Sequence, residues 1–267
     1  MVEDFIKLNN DIKMPRIGYG VYQILSSMTE KCVSSAIEVG YRSIDTAQCY
    51  GNEQEVGLAV KKSGIDRKEF FVTTKLWGCR GYSDTLKSIE SSLDRLDLDY
   101  IDLMLIHEPT GNFVEIYRAM EDFYSEGKLK AIGLANFYEE NYLKIINNCQ
   151  VVPQINQVET HVFRQQEKLR DLMKEYGTQI ESWSPMACGQ NNFFNNETLK
   201  EIAKNHNKTV AQVGLRFLYQ QNIIIIPKST HKERMIENKN IDDLELTNSE
   251  MEKIRTLEKG KSLFGWW

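Results

Sequence analysis

The sequence predicts an α/β protein folded as a single closed (β/α)8 barrel, and three observations carry that expectation. Short apolar segments alternate with helix-forming segments along the chain, and eight main strand candidates can be counted, each followed by helix-forming sequence. No linker or second core interrupts the alternation. The length, 267 residues, is close to the about 250 that such a barrel needs. An open doubly wound sheet is the alternative, disfavoured because no glycine-rich GxGxxG turn follows a first strand.

The elements follow in order. Phe5–Leu8 and Ile12–Met14 flank an Asn9-Asn10-Asp11 turn and read as a small hairpin. Ile17–Gly20 is a short strand of low bulk, and Thr29 is a candidate cap for a helix ended by Gly40. Arg42–Asp45 is the next strand, followed by a polar turn and a helix over Asn52–Lys62. Strands are expected at Phe70–Lys75, Tyr100–Ile106, Lys130–Leu134, Ile155–Val158, Gln179–Trp183 and Ile223–Ile226. The intervening helices are Ser83–Leu96, Asn112–Tyr124, Glu139–Asn147, Gln165–Tyr176, and the pair Thr198–Asn205 and Thr209–Tyr219. The near-continuous apolar character of Tyr100–Ile106 suits a strand covered on both faces. Asn191–Asn196 reads as a mobile surface loop. A short helix capped by Ser229 or Thr230 follows the eighth strand, and Thr247 with Glu250 gives the capping-box spacing of a last helix. The aromatic end, Leu263-Phe264-Gly265-Trp266-Trp267, either docks on the barrel or closes over a ligand site. The second reading is favoured because extra tails can reach the ligand face of such barrels.

Composition narrows the function classes. A formal charge of −5 gives no general attraction to nucleic acid or anionic membrane. The N-terminus lacks a basic region followed by an apolar run, and no segment is long enough to span a bilayer, so a cytoplasmic protein is expected. The five cysteines, Cys32, Cys49, Cys79, Cys149 and Cys188, have no zinc-like spacing and read as reduced thiols. The four histidines are scattered without HExxH, so no metal site is expected. Ser184-Pro185 is not in a GxSxG nucleophile elbow, which removes the assembled hydrolase pattern.

What remains is a set of reactive side chains at strand ends. Asp45 ends one strand and Tyr50 lies just beyond it; Lys75 and His107 end two later strands. An ammonium near a phenol favours the phenolate, and Asp45 can hold that ammonium. Such a tyrosine can act as a general acid towards an oxygen becoming alkoxide. His107 can orient a carbonyl and stabilise the developing charge. A structural ion pair beside a histidine is the bland alternative. Lys228, Ser229, the following helix start and Arg234 together suggest a phosphate grip. An exposed basic helix cap would look the same.

These residues sit in longer stretches that resemble the aldo-keto reductase family, in particular its bacterial small-aldehyde, glyoxal and diketo-acid reductase members. The stretches are Asp45-Thr46-Ala47 to Tyr50-Gly51-Asn52-Glu53, Thr74-Lys75-Leu76-Trp77, Gly133–Phe137, Asn156–Glu159 and Ile226–Ser229. The match runs from Met14-Pro15 to Glu237-Asn238, most of the chain. The resemblance implies an NADP(H)-dependent oxidoreductase acting on carbonyl and CH–OH groups, with Asp45, Tyr50, Lys75 and His107 as a catalytic tetrad. It implies nicotinamide contacts from Asn136 and Gln157, ring stacking on Trp183, and a neighbouring cofactor contact at Ser184. It also implies that Lys228, Ser229, Thr230 and Arg234 hold the adenosine 2′-phosphate, with Glu237 and Asn238 on the adenine side.

Three positions depart from the family pattern, one of them Val162, which follows His161 where a His-Pro pair is frequent. Ala135 stands where serine is common, removing one nicotinamide contact, and Glu108 stands where tryptophan is common, putting an acid beside the pocket. Tyr19, Tyr22, Trp77, Glu108, Trp266 and Trp267 are the expected pocket residues, and the substrate is an aldehyde or ketone, small or aromatic, with dicarbonyls included. A monomer is expected, with a weak dimer as alternative. Two other readings compete: a cofactor-bound accessory protein with little turnover, and a barrel aldolase or phosphosugar isomerase using Lys75 as nucleophile.

Overall fold

The computed structural model describes residues 5–265. Trp266 and Trp267, expected at the pocket, lie outside the described residues. A hairpin of β1 (Phe5–Lys7) and β2 (Lys13–Pro15) precedes β3 (Tyr19–Gly20) and α1 (Ser26–Val39). Then come β4 (Ser43–Asp45), α2 (Glu53–Lys62), β5 (Phe71–Leu76), α3 (Tyr82–Leu96), β6 (Ile101–Ile106) and α4 (Phe113–Ser125). They are followed by β7 (Leu129–Ala135), α5 (Glu139–Ile146), β8 (Ile155–Glu159), α6 (Glu167–Tyr176) and β9 (Gln179–Trp183). The chain continues through α7 (Glu197–Asn205), α8 (Val210–Tyr219), β10 (Ile224–Ile225), α9 (Lys232–Lys239) and α10 (Asn248–Arg255).

Strands β3 to β10 form one eight-stranded sheet in sequential order. Every pairing within it is parallel. The sheet closes on itself: Ile17 bridges Ile225, Gly18 N–H donates to Ile225 O at 2.8 Å, and Ile225 N–H donates to Arg16 O at 3.0 Å. Closure brings the first strand hard against the last. A Cβ on Gly18 would lie 2.9 Å from the Ile226 side chain and 3.0 Å from Ser43 Oγ, so this seam excludes larger residues.

The barrel has two apolar cores, as the strand pleat requires. Inside, Phe71, Leu103, Leu105, Ala131, Ile155 and Ile224 pack on Leu8 and Met14 from the hairpin, which plugs the N-terminal end. Outside, alternate strand residues such as Val72, Met104, Ile132 and Ile180 meet the helices in the larger cluster. Reactive groups are thereby left at the C-terminal end of the strands, the one end of the interior that the hairpin does not fill.

Several local expectations need correction. Thr29 is not the cap of α1: the helix starts at Ser26, and the Thr29 hydroxyl bonds back to Ile24 O (3.3 Å) and Leu25 O (3.0 Å). Gly40 does end that helix, at φ 99°. Neither Ser229 nor Thr230 is the cap residue of α9; His231 is, although its N–H is held by Ser229 Oγ at 3.1 Å. The Asn191–Asn196 stretch is anchored rather than free, because Phe193 is fully buried and Asn196 caps α7 by accepting from Leu199 N–H. The Thr247–Glu250 capping box is present as expected.

Candidate active site

Parity along the strands selects which groups face the interior. Asp45 is the last residue of β4, Lys75 the penultimate residue of β5, and His107 follows β6 directly. Tyr50 ends a short 3-10 turn over Gln48–Tyr50 whose exit is Gly51 at φ 65°. That turn is held from below by two residues of the motif that do no chemistry. Asn52 Oδ1 accepts from Thr46 Oγ1 (2.7 Å) while its Nδ2 donates to Val21 O and Ile24 O. Glu53, also buried, accepts from Thr74 Oγ1 and Arg95 Nε, both at 2.6 Å.

The structure brings the four expected catalytic residues together. Lys75 is fully buried, with Nζ 2.6 Å from Asp45 Oδ1, 2.9 Å from Thr46 O and 3.4 Å from Tyr50 Oη. Burial pushes the Lys75 ammonium down, but Asp45 and Tyr50 push it up and win, so it stays charged. The Tyr50 phenol goes the other way from the sequence expectation. Burial raises its pKa, Lys75 lowers it, Asp45 raises it again, and the net effect is well above the ordinary value. Tyr50 is therefore held as a neutral acid. A buried, charged, paired lysine is no Schiff-base nucleophile, which counts against the aldolase reading.

His107 faces Tyr50 edge-on at 5.7 Å between ring centroids and Trp77 at 5.1 Å. Burial, with a smaller push from Lys75, lowers its pKa to about 3, so the ring is neutral. Its Nδ1 lies 3.4 Å from Cys49 Sγ. Burial holds that thiol up at about 11. A protonated thiol donating to Nδ1 leaves the ring proton on Nε2, the nitrogen that can donate to a carbonyl. Cys49 was missed in the sequence, where a lone cysteine carries no signal.

The expected pocket residues divide. Tyr22 packs on Tyr50 (4.9 Å) and Trp77 packs on His107, both about half exposed at 47%, forming an aromatic wall. Gln48, unremarked in the sequence, fixes that wall by accepting from Trp77 N–H at 2.9 Å. Glu108 is half-buried beside His107, and burial raises its carboxyl pKa. It has no ion-pair partner among the described residues. Tyr19 is not a pocket residue. Gly18 and Gly20 take the inward positions, so Tyr19 points out, packs on Tyr41 and donates its hydroxyl to Ser229 O.

Cofactor candidates lie in two groups. At the barrel mouth, Asn136 adopts φ 63°, donates to His107 O (3.1 Å) and accepts from Trp183 Nε1 (2.8 Å). Trp183 also packs on Phe264 at 5.2 Å, which brings the tail to the ligand face. Gln157 donates through Nε2 to Asp45 Oδ2 and Glu181 Oε2, both at 2.8 Å. Ser184, at φ 51°, starts the loop beyond Trp183. The second group surrounds the start of α9. Lys228, Thr230 and Arg234 are exposed there, and neither cation has a carboxylate partner among the described residues, whereas neighbouring Lys232 is paired with Glu38. Ser229 is buried and turned to the backbone, Asn238 is buried, and Glu237 accepts from Thr209 Oγ1 at 2.6 Å. Two unpaired cations at an open helix start suit a phosphomonoester. No group of three or more metal-ligating side chains occurs among the described residues.

Comparison with known proteins places this geometry. The sequence model of the aldo/keto reductase family matches residues 16–259. The chain belongs to that family. It is 44% identical to glyoxal reductase of Bacillus subtilis (strain 168) over 261 residues, 97% of this chain and 94% of the relative. It is 42% identical to 9,11-endoperoxide prostaglandin H2 reductase of Trypanosoma cruzi, over 97% of this chain and 93% of that one. Among solved structures, an aldo-keto reductase from a Medee basin deep-sea metagenome library superposes with a TM-score of 0.95 at 44% identity, covering 97% of both chains. An aldo/keto reductase from Brucella melitensis gives 0.91 at 40% identity, covering 95% of this chain and 98% of that one. As a family member with the Tyr50–Lys75–Asp45 arrangement in place, the protein is an NADP(H)-dependent oxidoreductase that reduces carbonyl groups.

Proposed function

We propose that the protein reduces small, uncharged aldehydes and 1,2-dicarbonyls, aromatic ones included, with Tyr50 as the proton donor. The observation that carries this is the convergence of the Tyr50 hydroxyl and the His107 ring beside the buried Lys75–Asp45 pair, under the open aromatic wall of Tyr22 and Trp77. In this reading NADPH supplies the hydride. The chain's own residues do the rest. His107, neutral, donates from Nε2 to the carbonyl oxygen and fixes its direction. Tyr50 gives its phenolic proton to that oxygen as it gains charge, and the Lys75 ammonium stabilises the phenolate left behind. Asp45 keeps Lys75 charged and aimed. Asn136, Gln157, Trp183 and Ser184 would hold the nicotinamide end, Lys228, Thr230 and Arg234 would meet the 2′-phosphate while Ser229 shapes the loop through His231 N–H, and Glu237 and Asn238 would lie on the adenine side. Preorganised donors of this kind work without reorganisation at the moment of reaction.

Glu108 sets the charge preference. A partly desolvated carboxylate beside the reacting centre opposes a substrate carboxylate, so keto acids and diketo acids are poor substrates. The name of the Bacillus relative, glyoxal reductase, agrees with a small dicarbonyl. The complete site lies within one barrel, which supports a single-domain monomer over residues 1–267. No helix among the described residues is long and apolar enough to cross a membrane. A cytoplasmic location is part of this reading, and the free cysteines support it. The test is NADPH oxidation with methylglyoxal, phenylglyoxal, benzaldehyde, 4-carboxybenzaldehyde and a diketo acid, with NADH as control. The reading expects turnover of the neutral compounds, weak turnover of the carboxylates and preference for NADPH. Tight NADPH binding without turnover of any compound would instead favour an accessory role.

A further inference from the structure

The barrel interior holds a further acid that the tetrad does not use. Glu181 lies on β9 directly opposite Gln157 of β8, and it is completely buried. Its Oε2 accepts from Gln157 Nε2 at 2.8 Å; the same nitrogen donates to Asp45 Oδ2 at 2.8 Å. Its Oε1 is buried with no hydrogen-bond partner among the described residues. One carboxamide thus bridges two carboxyls, one from each side of the barrel, and the Lys75 ammonium faces them. Asp45 has that ammonium at 2.6 Å, together with its salt bridge. With Asp45 paired to Lys75 in that salt bridge, the charges balance when Glu181 carries a proton. Two residues further along β9, Trp183 and its bonded partner Asn136 cover this assembly at the mouth.

We propose that Glu181 is a positioning residue that holds Gln157 against Asp45 in its acid form and releases its proton to solvent when the bound nicotinamide becomes cationic. The proposal rests on the nicotinamide lying over Asn136, Gln157 and Trp183. Glu181 would then match the charge of the interior to the state of the cofactor, with no bond made or broken apart from its own O–H. The direction agrees with its surroundings: burial, then the Asp45 charge, raise its pKa to about 8, while Gln157 and Lys75 oppose them. It therefore sits where a modest field changes its state. A unit positive charge about 10 Å from such a carboxyl, through an effective dielectric of about 20, would make its ionisation about twentyfold easier.

The sign follows by linkage. The ionised form of Glu181 binds NADP+ better than the acid form does, so NADP+ affinity rises with pH through about 8. NADPH, whose ring is neutral, lacks that dependence. Both cofactors carry the same 2′-phosphate, so its own titration cancels in the ratio of their affinities. The groups facing Glu181 are Asp45 on β4, Lys75 on β5 and Gln157 on β8; the first two, with Tyr50, remain in a Glu181→Gln variant and report their own share.

The experiment is fluorescence titration of wild type and Glu181→Gln with NADP+ and NADPH from pH 6 to 9.5. In wild type the NADP+-to-NADPH affinity ratio should rise about ten- to twentyfold across that range; in Glu181→Gln, which keeps an acceptor for Gln157, the rise should be lost. Should the variant fail to fold, a pH-indicator dye reads the same linkage in wild type: between pH 7 and 8, NADP+ binding should release more protons per site than NADPH binding does. An unchanged slope in Glu181→Gln, a flat ratio in wild type, or equal proton release would overturn the proposal. Failure of NADPH to bind saturably at all would overturn the underlying cofactor reading with it.

Discussion

Replacing Lys75 by Met separates the structural work of the buried pair from its chemical work. Lys75 is fully enclosed, and its ammonium is 2.6 Å from Asp45 Oδ1. Methionine approximates the stem but removes the charge, so the interior keeps Asp45 and Glu181 with no cation to face them. Breaking one side of a buried pair costs about 3–5 kcal/mol because the partner is left uncompensated. For a chain of 267 residues, an unfolding entropy of about 2.1 cal/mol/K per residue converts that loss to a fall in Tm of about 5–9 °C. The chemical loss is separate. In the proposed reaction the Tyr50 phenolate loses the cation that lies 3.4 Å from its oxygen, and general-acid contributions are of the order of 10²–10⁴ in rate. The assay is thermal unfolding of cofactor-free protein, together with NADPH affinity and single-turnover reduction of phenylglyoxal. The account expects lower Tm, retained NADPH binding and a rate reduced by at least about a hundredfold. A Lys75→Met protein with wild-type Tm and a rate within tenfold would refute the reasoning, since Lys75 would then be neither a needed counter-charge nor a partner of Tyr50.

Other outcomes follow from the same geometry. Arg234→Ala or Lys228→Ala should weaken NADPH about tenfold each, leave NADH unchanged and flatten the salt dependence of NADPH binding, because each removes a charge-assisted contact; fluorescence quenching reads all three. Glu108→Gln should improve kcat/KM for 4-carboxybenzaldehyde about tenfold while barely changing benzaldehyde, a difference visible in steady-state rates. Cys49→Val should lower kcat about three- to tenfold with little change in KM for NADPH, because the His107 ring loses the contact that fixes its tautomer. The pH profile should be asymmetric. With the Tyr50 phenol held above its ordinary pKa, its proton is present throughout the neutral range, so reduction is level from pH 6 to about 9. Alcohol oxidation needs the phenolate, so it should climb steadily with pH over that interval.

The sequence made the barrel legible because strand and helix periods repeat around the whole chain, and because capping signals such as Gly40 and Thr247 with Glu250 act within a few residues. The grouping of Asp45, Tyr50, Lys75 and His107 was legible for a similar reason: strand ends are where a barrel presents side chains, and the four residues stand at three such ends. What the sequence did not show is set across the barrel. The partners of Gln157 come from β4 and β9, and no local pattern pairs Glu181 with Asp45. Tyr19 was misassigned because a two-residue strand leaves its parity open; the crowding around Gly18 and Gly20 decides it. Thr29 resembles a cap in sequence because it is a capping residue type near the helix start, whereas α1 begins one turn earlier at Ser26 with no side-chain cap. The direction of the Tyr50 shift also depends on enclosure. A neighbouring lysine lowers a phenol's pKa, but only burial, which sequence does not report, reveals that the opposing effect is larger.

The central claim is that Tyr50 delivers the proton while the rest of the site binds and aims. The most direct measurement is single-turnover reduction of phenylglyoxal by Tyr50→Phe with NADPH saturating, alongside its NADPH affinity. Loss of the hydroxyl removes one donor from a ring that otherwise keeps its packing against Tyr22 and His107. The account predicts NADPH binding within about threefold of wild type and a rate at least about a thousandfold lower. A rate within tenfold of wild type would contradict it and move the proton donor elsewhere in the site.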